Sequence, residues 1–130
     1  LDIENPIFSF PGFPFIRAIK LSRATFEGHI KPRHAFDIGS SNAGRFQRNI
    51  LNRTTSMDQF SSELAAMINS GEVVPEPYAA VPGGLRLYVT VPGSIGVTPS
   101  GATTPTVVVG LHTVGSPGMY EIDTTFPAGK

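Results

Sequence analysis

The stretch that decides the fold is TVVVGLH, residues Thr106–His112. It is apolar at almost every position, which is typical of a central strand covered on both faces of a sheet. On either side of it, Leu85–Val91 and Met119–Phe126 alternate apolar and polar side chains, so each predicts a strand with one buried face. The connections between these segments are rich in Gly, Pro, Ser and Thr. The C-terminal half is therefore predicted to form an antiparallel sheet.

A helix precedes these strands over Ser56–Asn69. Ser56 and Gln59 have the spacing of a capping box, Asp58 suits the first turn, and apolar residues recur on one face. Gly71 is expected to end this helix.

Weaker patterns complete the N-terminal half. Segments 16–26 and 42–51 are predicted to be short helices whose basic side chains point outward. Segment 72–84 contains Pro75, Pro77 and Pro82 and is predicted to be an irregular connection. Segment 1–15, where Pro and Gly interrupt four phenylalanines, is predicted to be an extended strap. Helices followed by a sheet indicate an α+β domain, with N-terminal helices packed on a C-terminal antiparallel sheet.

The 130 residues suffice for one domain, and the chain has no Cys for disulfides or thiolate metal sites. We divide it into an N-terminal strap or linker with a short helix, residues 1–27, and a main domain, residues 28–130, as parts of one unit. No apolar run is long enough to span a bilayer, so no stable membrane insertion is expected. Because it starts at Leu1, we expect the chain to be the C-terminal part of a longer protein.

The basic residues lie mostly in the first half of the chain. The net charge is zero, yet eight of the ten Lys and Arg residues fall between Arg17 and Arg53. This asymmetry indicates either a surface that binds a polyanion or an ordinary solvated surface.

The stretch Gly28–Arg53 combines histidines with basic residues. A neutral imidazole can take up a proton near neutral pH, and a guanidinium can hold a phosphate that gains negative charge. The stretch is therefore the candidate site for phosphodiester chemistry.

Short motifs occur in a fixed order along this part of the chain. They begin with Gly28-His29, Arg33-His34 and Arg45. They continue with RTTS (residues 53–56), which leads into the Ala-containing helix, and with the VVVGLHTVGSPGMYEI hairpin (residues 107–122). The last is TTFP (residues 124–127). In this order they resemble the RNase A-like group of toxin domains, which occur at the C-termini of bacterial contact-dependent inhibition proteins and other polymorphic toxins. This group is similar in its chemistry to EndoU-like ribonuclease toxins.

The resemblance implies an RNase A-like or related small ribonuclease-toxin fold and a metal-independent endoribonuclease. Such an enzyme cleaves RNA, with tRNA expected by analogy with the group, by attack of the ribose 2′-OH on the phosphate, and it leaves a 2′,3′-cyclic phosphate. It implies that His34 is the main general base or acid, Arg45 the phosphate clamp, Thr124 a hydroxyl donor and His29 the second imidazole. No cofactor and no metal are implied.

Four further side chains are predicted to bind substrate: Phe126, Arg48, Arg33 and Lys31. Phe126 shares a strand face with Thr124 and could stack on a base. The sequence departs from the group at two places. Phe126 replaces its usual tyrosine, which removes a phenol that could donate a proton, and residues 35–39 lack its usual lysine.

Each candidate residue also has a structural interpretation. His34 could be a surface histidine, and His29 could brace its loop by bonding a backbone carbonyl. His112, at the end of the apolar stretch, is predicted to be a core or edge histidine bonded to backbone. Glu121 and Asp123 are predicted to point the same way with no His or Cys beside them, which argues against a metal site.

A toxin would endanger its producer, so the resemblance implies a cognate immunity protein that binds the active cleft, as well as RNA. We then expect a monomer or a toxin–immunity heterodimer, exported as part of a large secreted or surface protein and active in the cytoplasm of a target bacterium. The alternative is a non-enzymatic, β-rich interaction or structural domain of a large secreted or surface protein, which the zero net charge and the abundance of Gly, Pro and Thr would suit.

Overall fold

The computed structural model describes residues 16–38 and 43–128. In this part the chain is a mixed α and β structure with two sheets. The strands are β1 (Ala18–Lys20), β2 (Arg45–Phe46), β3 (Glu72–Tyr78), β4 (Gly84–Thr90), β5 (Gly96–Val97), β6 (Thr103–Thr104), β7 (Thr106–Thr113) and β8 (Met119–Pro127). A helical segment consists of α1 (Arg23–Thr25), a π-helical turn (Phe26–Ile30) and α2 (Lys31–His34), and a separate helix is α3 (Met57–Ser70).

The large sheet has the strand order β1-β8-β7-β4-β3 and the small sheet the order β2-β5-β6. The apolar stretch forms β7, which lies at the centre of the large sheet as predicted, and β4 and β8 are the two neighbouring strands. Neighbours among β8, β7, β4 and β3 are antiparallel. β1 pairs with β8 in the parallel direction, so the sheet is mixed.

One face of the large sheet packs into the hydrophobic core. Alternate residues of β4 and β7, such as Leu87 and Val109, are fully buried there with Phe60 and Leu64 of α3. The helix begins and ends as predicted. Ser56 and Gln59 form both hydrogen bonds of the capping box, and Gly71 is the C-cap.

The prediction of a helix over 16–26 is wrong for its first half. Residues 18–20 form β1, and helical structure starts only at Arg23, where the Ser22 side chain accepts a hydrogen bond from the Thr25 N–H. Ile19 and Leu21 are fully buried on both sides of Lys20. The helical segment runs on through Gly28, so it crosses the division that we drew between residues 27 and 28.

Two further local predictions are wrong. Segment 42–51 is not a helix over its described residues 43–51, because Arg45–Phe46 form β2 and residues 48–50 form a turn. Segment 72–84 contains β3, an edge strand. Pro75 and Pro77 are two residues apart, so their missing N–H groups fall on the same side of the strand and can face the open edge.

The predicted strap, residues 1–15, lies outside the described residues. Among the residues that the structure describes, no helix combines the length and apolar character needed to cross a bilayer.

Candidate active site

The helical segment brings two histidines onto one side. In a regular α-helix, residues five apart point in directions about 140° apart. Here the Lys31 N–H bonds the Phe26 carbonyl, five residues back, and this wider π turn leaves the rings of His29 and His34 5.8 Å apart, edge to face. Pro32 accounts for the turn, because it has no N–H to donate and its ring would clash with the carbonyl four residues back.

His29 contacts the last strand of the large sheet. Its Nε2 lies 3.0 Å from the Oγ1 of Thr124 on β8, although the two residues are 95 apart in sequence. His29 is half-buried, so this pair remains in contact with solvent. Either group can donate in this hydrogen bond, since the imidazole has two tautomers and a hydroxyl both donates and accepts.

His34 is almost fully buried, with 4% of its surface exposed. Its Nδ1 lies 2.6 Å from the carbonyl oxygen of Gly44, and its ring is stacked on Phe126 with the centroids 5.5 Å apart. A carbonyl only accepts, so Nδ1 carries the proton and Nε2 keeps its lone pair.

Burial lowers the pKa of His34 to about 4, and the nearby charges of His29 and Arg33 act in the same direction. The hydrogen bond to Gly44 opposes this shift. His34 is therefore neutral near pH 7. The bond to a backbone carbonyl, which we considered for His29, belongs instead to His34.

These residues line one cavity of about 310 Å³. Its lining consists of His29, Arg33, His34, Ala43, Gly44, Pro99, Thr124 and Phe126. Five of the eight predicted site residues thus lie together at one place: His29, His34, Thr124, Arg33 and Phe126. The cavity combines an aromatic ring with two imidazoles, a hydroxyl and a guanidinium, and the last four are groups that can transfer protons or stabilise a bound anion.

The other three predicted site residues lie elsewhere. Arg45 lines a separate depression with Phe36 and Val97. The Arg48 guanidinium lies over the ring of Phe36, 4.5 Å from Cζ to the centroid. Lys31 pairs with Glu27, with Nζ and Oε1 3.8 Å apart.

β7 and β8 carry an imidazole–carboxylate cluster that was not predicted from the sequence. Nδ1 of His112 bonds Oδ1 of Asp123, and its Nε2 lies 3.8 Å from Oε1 of Glu121. The predictions that His112 bonds backbone, and that the two carboxylates have no histidine beside them, are therefore wrong. Neither contact follows from spacing along one strand. Glu121 is directly opposite His112 on the neighbouring strand, and Asp123 is the residue that the register shift between Gly110 and Leu111 leaves without an opposed residue.

Within residues 16–38 and 43–128, no group of three or more His, Asp or Glu side chains is arranged to hold a metal ion. No protein family, curated protein or solved structure matches this chain.

Proposed function

We propose that this protein is a metal-independent endoribonuclease. The observation that carries the proposal is the contact between His29 and Thr124, 3.0 Å from Nε2 to Oγ1, in a cavity that also holds the neutral His34 and the Arg33 guanidinium. RNA carries its own nucleophile, the 2′-OH, which DNA lacks. A site of this composition needs only to take one proton, supply another and stabilise the phosphate between them.

In the proposed reaction a base takes the 2′-OH proton and the 2′-oxygen attacks phosphorus. The bond from phosphorus to the 5′-oxygen breaks, and that oxygen takes up a proton. The products are a 2′,3′-cyclic phosphate and a free 5′-OH. His29 is the more accessible imidazole, so we assign it a proton-transfer role in which Thr124 orients it or donates a hydrogen bond to the phosphate.

His34 serves this reaction in its neutral form. Its low pKa makes it a weak base at neutral pH, but its Nε2 can accept a proton or a hydrogen bond inside the cavity. The hydrogen bond from its Nδ1–H to the Gly44 carbonyl and its stacking on Phe126 also hold the His34 ring in one position in the cavity wall. We therefore place His34 as the second imidazole and His29 as the first, which reverses the order that the resemblance implies.

The phosphate needs a cation. The resemblance assigns this role to Arg45, whereas Arg33 is the arginine that lines the cavity with His29. Arg33 presents a planar set of N–H donors that suits a phosphate. We assign it the clamp, because Arg45 lies in a separate depression with Phe36 and Val97.

The biological setting rests on the resemblance of the motifs. We propose an RNase A-like or related small ribonuclease-toxin fold, in a toxin delivered to a competing bacterium as part of a larger exported protein, with tRNA as its substrate. An immunity protein would bind over the cavity, and an acidic patch on it would complement Arg33 and its basic neighbours.

Incubation of the purified protein with total bacterial RNA in excess EDTA tests the activity. We expect discrete fragments with cyclic phosphate ends. His29→Ala and Thr124→Val should each lower kcat/KM by about 10²-fold or more. Arg33→Ala and Arg45→Ala are compared under the same conditions. The variant with the larger fall in kcat/KM identifies the arginine that holds the phosphate.

The matched control is Thr90→Val. Thr90 is also a strand threonine with a side-chain hydrogen bond, 3.0 Å to Oγ1 of Thr106, and it does not line the cavity. Full activity in His29→Ala would remove the site assignment. Intact RNA with the parent protein, with or without added metal, would favour a non-enzymatic interaction domain.

A further inference from the structure

The face of the large sheet that is turned away from α3 carries an arginine beside the cavity. Strand pairing places Arg86 of β4, Gly110 of β7 and Thr124 of β8 in one row. Tyr88, Val108 and Phe126 form the next row along the same face. Arg86 is therefore a neighbour, across the sheet, of the residue that contacts His29.

Gly110 leaves the space between Arg86 and Thr124 free of side chain. A Cβ at this position would meet Cγ2 of Thr124 at 3.2 Å, so the row is closely packed even without one. A glycine in the interior of a central strand weakens the strand, and it often marks a place where another group approaches the backbone. Here the group that approaches is the methyl group of Thr124, so no side chain of β7 stands between Arg86 and Thr124.

The guanidinium of Arg86 lies over the ring of Tyr78 and within reach of a second ring, that of Phe126. Its Cζ lies 4.0 Å from the ring centroid of Tyr78 and 6.0 Å from that of Phe126. Phe126 is in turn stacked on His34, with the centroids 5.5 Å apart. His34, Phe126, Arg86 and Tyr78 thus form a continuous line of planar groups, which we call the stacking strip.

The strip runs from the cavity to the edge strand β3, and Phe126, Arg86 and Tyr78 are all half-buried. Glu76 lies directly opposite Arg86 on β3, so this row carries both signs of charge. The positive charge of Arg86 alone would therefore not make the stacking strip a binding site for polyanions in general. Its distinguishing feature is the alternation of aromatic rings with a guanidinium.

We propose that the stacking strip binds the nucleotides of single-stranded RNA next to the phosphate that is cleaved. Unstacked bases can contact the parts of Phe126 and Tyr78 that their neighbours leave exposed, and Arg86 can contact a phosphate. Bases that are already stacked in a duplex could not use these planar surfaces. The proposal rests on the proposed ribonuclease function and adds that the substrate is read as an extended single strand.

The test is a binding measurement with a fluorescent single-stranded 2′-O-methyl RNA, which has no free 2′-OH and cannot be cleaved. Arg86→Ala should raise Kd by about tenfold, the loss that one stacked contact gives. Arg86→Lys keeps the charge but loses the planar group, so its Kd should fall between those of the parent and Arg86→Ala. Tyr78→Leu should weaken binding in the same direction, which gives a second measurement if Arg86→Ala fails to fold.

The matched control is Arg53→Ala. Arg53 is also an arginine with local contacts, because its Nε lies 2.9 Å from Oδ2 of Asp37, and it does not line the cavity. Its loss should change Kd by less than about twofold, as expected for an exposed charge. A parent protein that does not bind this RNA, or equal weakening by Arg86→Ala and Arg53→Ala, would overturn the stacking strip.

The two proposals can fail separately. RNA binding that depends on Arg86, combined with intact RNA in the cleavage assay, would support the stacking strip and overturn the ribonuclease. RNA cleavage that is lost in His29→Ala, together with RNA binding that is unchanged in Arg86→Ala, would support the ribonuclease and overturn the stacking strip.

Discussion

His29 and His34 show how the surroundings give two identical side chains different chemistry. His29 reaches across to the hydroxyl of Thr124 and keeps contact with solvent, whereas His34 is enclosed between Phe126 and the carbonyl of Gly44. Enclosure lowers the pKa of His34 to about 4. At neutral pH this side chain is therefore an uncharged part of the cavity wall.

The low pKa of His34 predicts a stability that depends on pH. The folded-state pKa of about 4 lies below the ordinary 6.5, so the unfolded chain takes up the proton first as the pH falls. The contribution of His34 is fully present above pH 6.5 and is lost as the pH falls toward 4. We expect the parent to lose about 2 to 3 kcal/mol more than His34→Gln over this range.

Urea unfolding of both proteins at the two ends of the range measures this difference. Glutamine can still donate to the Gly44 carbonyl but does not titrate, so other ionisable groups contribute equally to both proteins. Parallel pH dependences for the parent and the variant would show that burial does not depress the His34 pKa.

Thr125 provides a second residue-level prediction. Its side chain is fully buried, and among the described residues its Oγ1 has no hydrogen-bond partner. Thr125→Val replaces an unsatisfied hydroxyl with a methyl group of similar size, so it should raise the free energy of unfolding by about 1 kcal/mol. The control is Thr104→Val, which should destabilise the protein, because Oγ1 of Thr104 lies 3.2 Å from both the Ala128 carbonyl oxygen and the Thr106 N. A destabilised Thr125→Val would mean that the hydroxyl is satisfied.

At the scale of elements, the π-helical turn positions the site. Pro32→Ala restores an N–H that can bond the carbonyl four residues back, which favours a regular α-helix. His29 would then turn away from Thr124. We expect kcat/KM for RNA to fall by at least about tenfold, because small displacements of a catalytic group are costly, while the free energy of unfolding stays the same or rises.

In Pro32→Ala we also expect the nuclear Overhauser contact between the rings of His29 and His34 to be lost. A Pro32→Ala protein with full activity and an unchanged ring contact would show that Pro32 does not cause the π turn.

The chain before β2 must pass very close to the end of β8. A Cβ at Gly44 would lie 2.2 Å from the carbonyl oxygen of Pro127, and the backbone of Gly44 cannot shift away without moving the acceptor of His34. Gly44→Ala should therefore destabilise the protein by about 2 kcal/mol or more.

Gly28→Ala is the matched control for this change. A Cβ at Gly28 has no neighbour within 4 Å, and the residue lies in the helical segment, so the variant should be about 0.5 to 1 kcal/mol more stable. Thermal unfolding of both variants measures the contrast. Equal stabilities would show that the approach of Gly44 to Pro127 is not tight.

At the scale of the whole molecule, residues 16–27 belong to the same fold as the described residues that follow them. β1 pairs with β8, and the adjacent Ile19 and Leu21 are fully buried in the core. Ile19→Ala should lower the free energy of unfolding by about 3 kcal/mol, as for other deletions of a buried side chain.

Arg17→Ala, at an exposed position two residues earlier, should change that free energy by less than about 0.5 kcal/mol. Chemical denaturation of both variants tests the point. A small effect of Ile19→Ala would show that residues 16–27 are an appendage rather than part of the domain.

Patterns over a few neighbouring residues predicted the elements that depend mainly on those residues. The capping box and the apolar face predicted α3, and alternating or continuous apolar residues predicted β4, β7 and β8. The same reasoning missed β1, because three residues carry too little periodicity to show a strand that forms only by pairing with β8. It missed β3, because its prolines resemble those of a loop, and an edge strand tolerates them.

The sequence by itself determined that the domain is α+β, and it singled out most of the residues of the cavity, since these properties depend on periodicity, caps and residue chemistry. The tertiary structure alone decided which of those side chains meet. It joined His29 to Thr124 across 95 residues, enclosed His34, left Arg45 in another depression and aligned Arg86 with the cavity. Such contacts depend on the pairing register of the strands and on a widened helical turn, and no pattern along the chain encodes the distance between side chains on different elements.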